Sequence, residues 1–168
     1  MAAPGVYVLV LEASARVSVG RLGLVEFDGW YLYVGSARGP GGLSRVRRHF
    51  QYASRRDPPA RWHIDRLLGI GALRGALLAA TDADLECELS EATGAQLERA
   101  CLGFGASDCG CRSHLYAARS EGGAIRAGRR ALRAVGLTPR GVSSLAEVDA
   151  ALQTGRFRAA GQTLTTRP

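Results

Sequence analysis

A short hydrophobic run near the start of the chain is the feature that most limits how this sequence can fold. Residues 6–11 are all aliphatic or aromatic and lie between Gly5 and Glu12, a pattern typical of a buried β-strand. Further short stretches have strand-forming composition and are separated by turn residues. These stretches are residues 16–19, 22–27 and 30–34, with turns expected at Gly20-Arg21 and Asp28-Gly29. We therefore expect the first third of the chain to form an antiparallel meander.

Helical spacing follows this strand-forming third. Leu43, Val46 and Phe50 recur at intervals of three and four residues, which predicts a helix over residues 43–52. The later expected elements are a short helix near 62–68, a strand over 73–80, a helix after an N-cap at Thr81, a strand or turn over 113–117, and helices near 124–135 and 144–152. The predicted fold class is α/β (α+β), a small antiparallel sheet flanked by helices. We expect residues 1–118 to form the domain and residues 119–168 to form a basic extension, rich in Arg, Ala and Gly and partly helical.

The charge of the chain is strongly uneven along its length. The formal net charge is +7, and all 22 basic residues other than histidine are arginine. Residues 38–74 contain nine arginines and two aspartates, whereas residues 75–125 contain eight acidic residues and three arginines. A basic block beside an acidic one is compatible with a site that binds phosphate and a divalent cation; solvated helix faces are the alternative interpretation. The absence of lysine excludes a lysine nucleophile, a Schiff base and a Walker-type phosphate loop.

Composition favours a protein of the cytoplasm that does not interact with a membrane. No apolar run approaches the ~20 residues that a membrane span requires, and no basic segment precedes the first apolar run as in a signal peptide. In the cytoplasm the four cysteines are expected to be reduced thiols.

Two tyrosine motifs precede a charged helical turn. Tyr7 lies in Gly-Val-Tyr and Tyr33 opens Tyr-Val-Gly, both on predicted strands. Arg45 and His49 are four residues apart and therefore lie on one face of the predicted helix, one turn apart. Two tyrosines, an arginine and a histidine in this order could converge on a phosphate group.

These motifs resemble the GIY-YIG nuclease superfamily, in the uncharacterised branch found alone or fused to endonuclease III-type glycosylases. The resemblance covers residues 5–117. The matching residues are Gly5-Val-Tyr7, Tyr33-Val-Gly-Ser-Ala37, Gly41-Gly-Leu43, Arg45-x-x-Arg-His49, Trp62-His-Ile-Asp65, Glu86-Cys-Glu-Leu89 and Phe104-Gly-x-Ser-Asp-Cys-x-Cys111-x-Ser-His-Leu115. Seven pieces in the right order are more specific than any one of them.

The resemblance implies a GIY-YIG-like fold and a metal-dependent endonuclease that hydrolyses phosphodiester bonds in DNA, with branched or damaged DNA as candidate substrates in repair. Tyr7 and Tyr33 would lie near the attacking water, one of them acting as or assisting the general base. Arg45 would bind the scissile phosphate, and His49 would assist proton transfer or bind the phosphate. A helix glutamate would hold Mg²⁺ or Mn²⁺; Glu88 is favoured for this role, followed by Glu86 and then Glu91.

Further residues of the matching motifs would surround this site. His63 is expected at the rim, where Asp65 would orient a neighbour; a purely structural His63–Asp65 pair is the alternative. The remaining candidates for contact with nucleic acid are Arg38, Arg47, Arg48, Ser107, Asp108 and His114. DNA is the expected partner, RNA is compatible with the same contacts, and a DNA-repair protein is a candidate second partner.

One missing residue type favours a different function. The better-known nucleases use an asparagine after the glutamate helix, and this chain contains no asparagine. Ser107 or Asp108 could take its place. Otherwise the chain would be a noncatalytic nucleic-acid-binding accessory module.

A cysteine-rich segment offers a zinc hypothesis. Cys109, Cys111 and His114 lie close together in the sequence, with Cys101 as a fourth candidate ligand; the Cys-x-Cys spacing is less specific for metal than paired Cys-x-x-Cys. Buried thiols in a loop that shapes the pocket wall are the favoured interpretation. Trp30 and Trp62 could stack on bases, but core packing is the expected role of both.

Overall fold

Two long paired strands form the centre of the fold. In the computed structural model, which describes residues 2–55 and 59–154, β1 (Gly5–Ser18) and β2 (Leu24–Ser36) pair antiparallel along nearly their full length. A single 3₁₀ turn at Gly20–Leu22 connects them. The expected turn at Asp28-Gly29 is therefore wrong, because both residues lie inside β2 opposite Ser14 and Ala13. The first third is one long hairpin, not a meander of shorter strands.

Four further strands extend the hairpin into one antiparallel sheet. They are β3 (Ala72–Ala80), β4 (Glu98–Arg99), β5 (Leu115–Ala118) and β6 (Arg140–Val142), and the order across the sheet is β4-β5-β2-β1-β3-β6. All the pairings are antiparallel. With helices packed on it, this sheet confirms the predicted α+β class.

Five helices of the described residues cover the two faces of the sheet. One face carries α1 (Ser44–Arg55), α2 (His63–Ile70) and α5 (Leu145–Gln153), and the other carries α3 (Glu86–Gly94) and α4 (Glu121–Ala134). Alternate residues of β1 supply the two cores, with Leu9 and Leu11 on the first face and Val8 and Val10 on the second. A strand buried on both faces has no polar positions, which explains the hydrophobic run in the sequence. None of these helices is long and apolar enough to cross a membrane.

The change in composition after residue 118 does not coincide with a break in packing. Ser120 caps α4 by accepting a hydrogen bond from the Gly123 amide at 3.0 Å, and the apolar side of the helix packs on β1, β2 and β3. β6 then adds a strand beside β3. Residues 155–168 of the predicted extension lie outside the described residues.

Truncation of Leu132 tests whether α4 belongs to the folded domain. Leu132 is fully buried in the core between α4 and the sheet, so Leu132→Ala should lower the free energy of unfolding by about 2–5 kcal/mol. Arg130→Ala, on the exposed side of the same helix, should change it by no more than about 0.5 kcal/mol. Urea unfolding of the full chain measures both values, and equal small effects would show that α4 is not part of the cooperative unit.

Candidate functional site

The two tyrosine motifs face each other across the central hairpin. Tyr7 of β1 lies opposite Gly35 of β2, and Leu9 lies opposite Tyr33. The Tyr7 side chain packs so closely on Gly35 that a Cβ at that position would lie within 3.0 Å of two ring carbons and the hydroxyl oxygen of Tyr7. The glycine of the Tyr-Val-Gly motif therefore makes room for the tyrosine of the first motif.

A polar cavity of about 340 Å³ opens beside these tyrosines. It is bordered by the end of the hairpin, by α1 and α2, by the first residue of α3, and by the loop that precedes β5. The predicted site residues that line it are Tyr7, Tyr33, Arg45, His49, His63, Glu86, Ser107, Asp108 and His114. Thus residues separated by more than a hundred positions in the sequence, such as Tyr7 and His114, meet at one place.

Tyr7 and His49 form a buried pair at the base of the cavity. The Tyr7 hydroxyl lies 2.8 Å from Nε2 of His49, and Nδ1 of His49 has no hydrogen-bond partner among the described residues. Burial lowers the pKa of His49 from 6.5 to about 3, although the charge of Asp65 opposes this change. Burial also raises the pKa of Tyr7 and of Tyr33 above the usual 10. At neutral pH the whole group is therefore uncharged.

Arg45 differs from the other candidate arginines in having no carboxylate partner among the described residues. Its guanidinium donates a hydrogen bond to the carbonyl of Ser36 at 2.9 Å and lines the cavity. The other three are paired: Arg38 with Asp84 at 2.7 Å, Arg47 with Asp149 at 2.8 Å, and Arg48 with Asp65 at 3.0 Å. Arg45 is thus the arginine of this group whose charge remains available to an anion in the cavity.

Asp65 has a structural role and does not pair with His63. Burial alone would raise its pKa, but hydrogen bonds from the Arg48 guanidinium and from the amides of Arg61 and Trp62 outweigh this effect and lower it. These contacts fix the first turn of α2 to α1. His63 instead accepts a hydrogen bond at Nδ1 from the Gly105 amide at 3.0 Å, and burial lowers its pKa. The structural His63–Asp65 pair is therefore wrong, whereas His63 lines the cavity and Asp65 holds its neighbour Arg48, in line with the first interpretation.

Trp62 lies on the cavity wall and not in the core. Its side chain is 43% exposed, and the Arg48 and Arg45 guanidinium carbons lie 4.2 and 5.3 Å from its ring centre. It precedes α2, whose buried positions are taken by residues further along the helix. The expected core role of Trp62 is therefore wrong.

The structure replaces Glu88 with Glu86 as the candidate metal ligand. α3 begins at Glu86, not directly after Thr81, and its buried side is formed by Leu89, Ser90 and Thr93. Glu86 shares that side, at spacings of three, four and seven residues, and reaches the cavity. Glu88 and Glu91 are exposed on the opposite side. Glu88, the favoured residue, therefore does not line the cavity, and which glutamate binds a metal ion stays a prediction.

A cluster of three thiols and one imidazole adjoins the cavity. Cys87, Cys109, Cys111 and His114 place their ligand atoms within 4.8 Å of one another and could hold a metal ion. Cys101, the expected fourth member, is not part of the cluster; its Sγ lies 3.8 Å from the Leu102 carbonyl. Cys87 takes its place from the first turn of α3, and no local spacing in the sequence connects it to the others.

A family model described as Domain of unknown function DUF123 matches residues 6–137. The chain belongs to the DUF123 family. The DUF123 match includes every cavity residue and the whole thiol–imidazole cluster, and it extends through α4, beyond the boundary predicted at residue 118. No curated protein and no solved structure matches the chain.

The buried imidazole of this DUF123 domain should make its stability sensitive to acid. Because the pKa of His49 is lowered to about 3 in the folded state, the unfolded chain binds the proton first. The stabilisation is therefore complete above about pH 6.5 and is lost as the pH falls toward about 3. Between these pH values, His49→Gln should reduce the slope of the free energy of unfolding against pH by up to about 1.4 kcal/mol per pH unit.

Denaturant unfolding of wild type and His49→Gln at several pH values measures this slope. His63→Gln is the matched control, since His63 is only partly buried and its replacement should leave most of the slope in place. An unchanged slope in His49→Gln would show that His49 is not held neutral.

Proposed function

We propose that the chain is a metal-dependent endonuclease of the GIY-YIG type that hydrolyses phosphodiester bonds in DNA. The observation that supports this best is the composition of the cavity. It combines two buried tyrosine hydroxyls, a neutral histidine, an arginine without a carboxylate partner among the described residues, and one glutamate. Each of these groups has a role in the hydrolysis of a phosphodiester.

Arg45 is positioned to bind the phosphate. Its planar guanidinium can donate two hydrogen bonds to phosphate oxygens. Arg61 is the other arginine that lines the cavity. As the bond to the leaving oxygen breaks, charge accumulates on the phosphate oxygens, and a fixed cation stabilises that charge more in the transition state than in the substrate.

Tyr7 and His49 are positioned to orient the attacking water. Nε2 of the neutral His49 can accept the hydrogen bond of the Tyr7 hydroxyl, which fixes the direction of the lone pairs on the Tyr7 oxygen. Those lone pairs can accept a hydrogen bond from the water as its oxygen approaches phosphorus. Tyr33 has no side-chain hydrogen bond among the described contacts, and its hydroxyl can orient the same water.

Glu86 is the residue that would hold a divalent cation. Its carboxylate supplies the hard oxygen donor that Mg²⁺ or Mn²⁺ prefers, and a bound cation would stabilise the charged phosphate oxygens. The charge of Glu86 contributes to the raised pKa of both Tyr7 and Tyr33. Neutralising that carboxylate therefore favours phenolate formation, which gives a physical reason for metal dependence.

A noncatalytic nucleic-acid-binding module is the second candidate, supported by the exposed side of α4. Arg126, Arg130 and Arg133 are exposed there at spacings of three and four residues. This arginine row lies on the face of the sheet opposite to α1 and α2. It could bind a phosphate backbone whether or not the cavity is catalytic.

Cleavage assays with matched variants test the proposed enzyme. Labelled duplex, nicked, flapped, branched and single-stranded DNA, with RNA in parallel, would be incubated with Mg²⁺, with Mn²⁺ or with a chelator. We expect metal-dependent cleavage that falls by at least about 100-fold in Arg45→Ala and in Glu86→Ala. Glu88→Ala is the control, since Glu88 lies two residues away and is exposed; it should retain the activity.

Other results would overturn the assignment. Full activity in Arg45→Ala would show that the cavity is not the catalytic site. Loss of activity in Glu88→Ala but not in Glu86→Ala would restore the glutamate that the sequence favoured. Binding without cleavage on every substrate would favour the accessory module.

Salt titration tests the arginine row on α4. Replacing Arg126, Arg130 and Arg133 together by alanine should weaken DNA binding and reduce the slope of log affinity against log salt by about 0.9 for each arginine that contacts a phosphate. Fluorescence anisotropy at several salt concentrations measures that slope. An unchanged slope would remove this surface from the DNA interface.

A further inference from the structure

We propose that Cys87, Cys109, Cys111 and His114 bind one Zn²⁺ ion in a closed structural site. The proposal does not depend on the nuclease function. Ligands about 2.3 Å from a common ion are about 3.8 Å apart at the corners of a tetrahedron. The four ligand atoms of the cluster lie within 4.8 Å of one another, and the sulfurs of Cys87 and Cys111 are 2.7 Å apart. Shifts of about 1 Å convert this arrangement into tetrahedral coordination.

The ligands come from two parts of the fold that the ion would join. Cys87 lies in the first turn of α3, and Cys109 and Cys111 lie in the loop between β4 and β5. His114 directly precedes β5, and its carbonyl accepts a hydrogen bond from the Val34 amide of β2 at 2.9 Å. The sheet thus fixes the imidazole, while the two loop thiols and the helix thiol converge on it.

The surroundings of His114 match those of a metal-bound histidine. Its Nε2 faces the cluster, 3.5 Å from the Cys109 sulfur. Its Nδ1 is buried, has no hydrogen-bond partner among the described residues, and lies 3.5 Å from a carboxylate oxygen of Glu86. A ligating histidine commonly directs its second nitrogen to a carboxylate, which fixes its tautomer and orientation. Zinc at Nε2 would place the proton on Nδ1, where it faces Glu86.

The donor set selects zinc over the hard cations. Thiolates with one imidazole suit Zn²⁺, whereas Mg²⁺ and Mn²⁺ prefer oxygen ligands. Four protein ligands fill the tetrahedron and leave no position for water or substrate, which is the pattern of structural sites. Binding releases the protons of the three thiols to solvent. This site is therefore distinct from the oxygen site proposed at Glu86.

The ion would hold one wall of the cavity in place. Cys109 follows Asp108 directly, and both line the cavity together with His114. The loop carrying them has no regular secondary structure between β4 and β5. Linking that loop to α3 fixes the positions of Ser107 and Asp108 relative to Glu86.

Metal analysis of the full chain tests the site without any variant. Protein purified under reducing conditions should contain one zinc ion per chain, as measured by inductively coupled plasma mass spectrometry. Cobalt exchanged for zinc should give the intense visible bands of tetrahedral coordination and the charge-transfer bands of thiolate ligands. Absence of bound metal after refolding with excess zinc, or an octahedral cobalt spectrum, would overturn the proposal.

Single substitutions identify the ligands. Cys87→Ser, Cys111→Ser and His114→Ala should each weaken zinc binding by at least about tenfold, because each removes one of four bonds. Cys101→Ser is the matched control: Cys101 lies outside the cluster and its replacement should leave affinity and the cobalt spectrum unchanged. Loss of zinc in Cys101→Ser, with retention in Cys87→Ser, would instead support the ligand set suggested by the sequence.

A disulfide between Cys87 and Cys111 is the competing use of the same sulfurs. Both are free thiols in the structure. Intact-mass measurement before and after reduction, with thiol counting, separates the two. A chain that lacks two hydrogens as purified and binds no zinc even after reduction would show that these residues form a redox pair, and would reject the structural zinc site.

Discussion

The packing of Tyr7 against Gly35 is the contact on which the rest of the site depends. Antiparallel pairing in this register places the two residues opposite each other, and the absence of a Cβ at Gly35 allows the ring to cross the neighbouring strand. A shift of one residue would turn Tyr7 toward the other face of the sheet. It would then face α3 and α4, and the hydroxyl could not reach His49. The first motif thus supplies the tyrosine, and the second motif supplies the glycine, of one packed pair.

The sequence predicted the positions of site residues correctly where those positions depended only on helical spacing. Arg45 and His49 lie one turn apart on α1, as their spacing required, and both line the cavity. Glu86 was ranked behind Glu88, and Cys87 was left out of the candidate zinc ligands, because both positions depend on where α3 begins. α3 has no side-chain cap at its N-terminus to mark the start. Trp62 was assigned to the core because composition alone cannot distinguish a residue before a helix from one inside it.

The sequence predicted the fold class better than it predicted where the strands and the domain begin and end. The hydrophobic run of β1 indicated a strand buried on both faces, but the outer halves of β1 and β2 are partly exposed and alternate weakly. Asp28 and Gly29 have turn chemistry, yet the pairing with Ser14 and Ala13 keeps them in the strand. Composition also separated α4 from the domain, although its small buried residues pack directly on the sheet. In each case a nonlocal contact overrode a local preference.

Glu86 connects the two kinds of metal chemistry inferred for this domain. It lines the cavity near the tyrosines and also lies 3.5 Å from Nδ1 of His114. A carboxylate has two oxygens, so one can accept a hydrogen bond from the imidazole while the other remains free for a hard cation. An ion on His114 would fix the direction of that hydrogen bond and hence the orientation of the free oxygen. The soft thiolate site would then act as the support that positions Glu86, the one glutamate that lines the cavity.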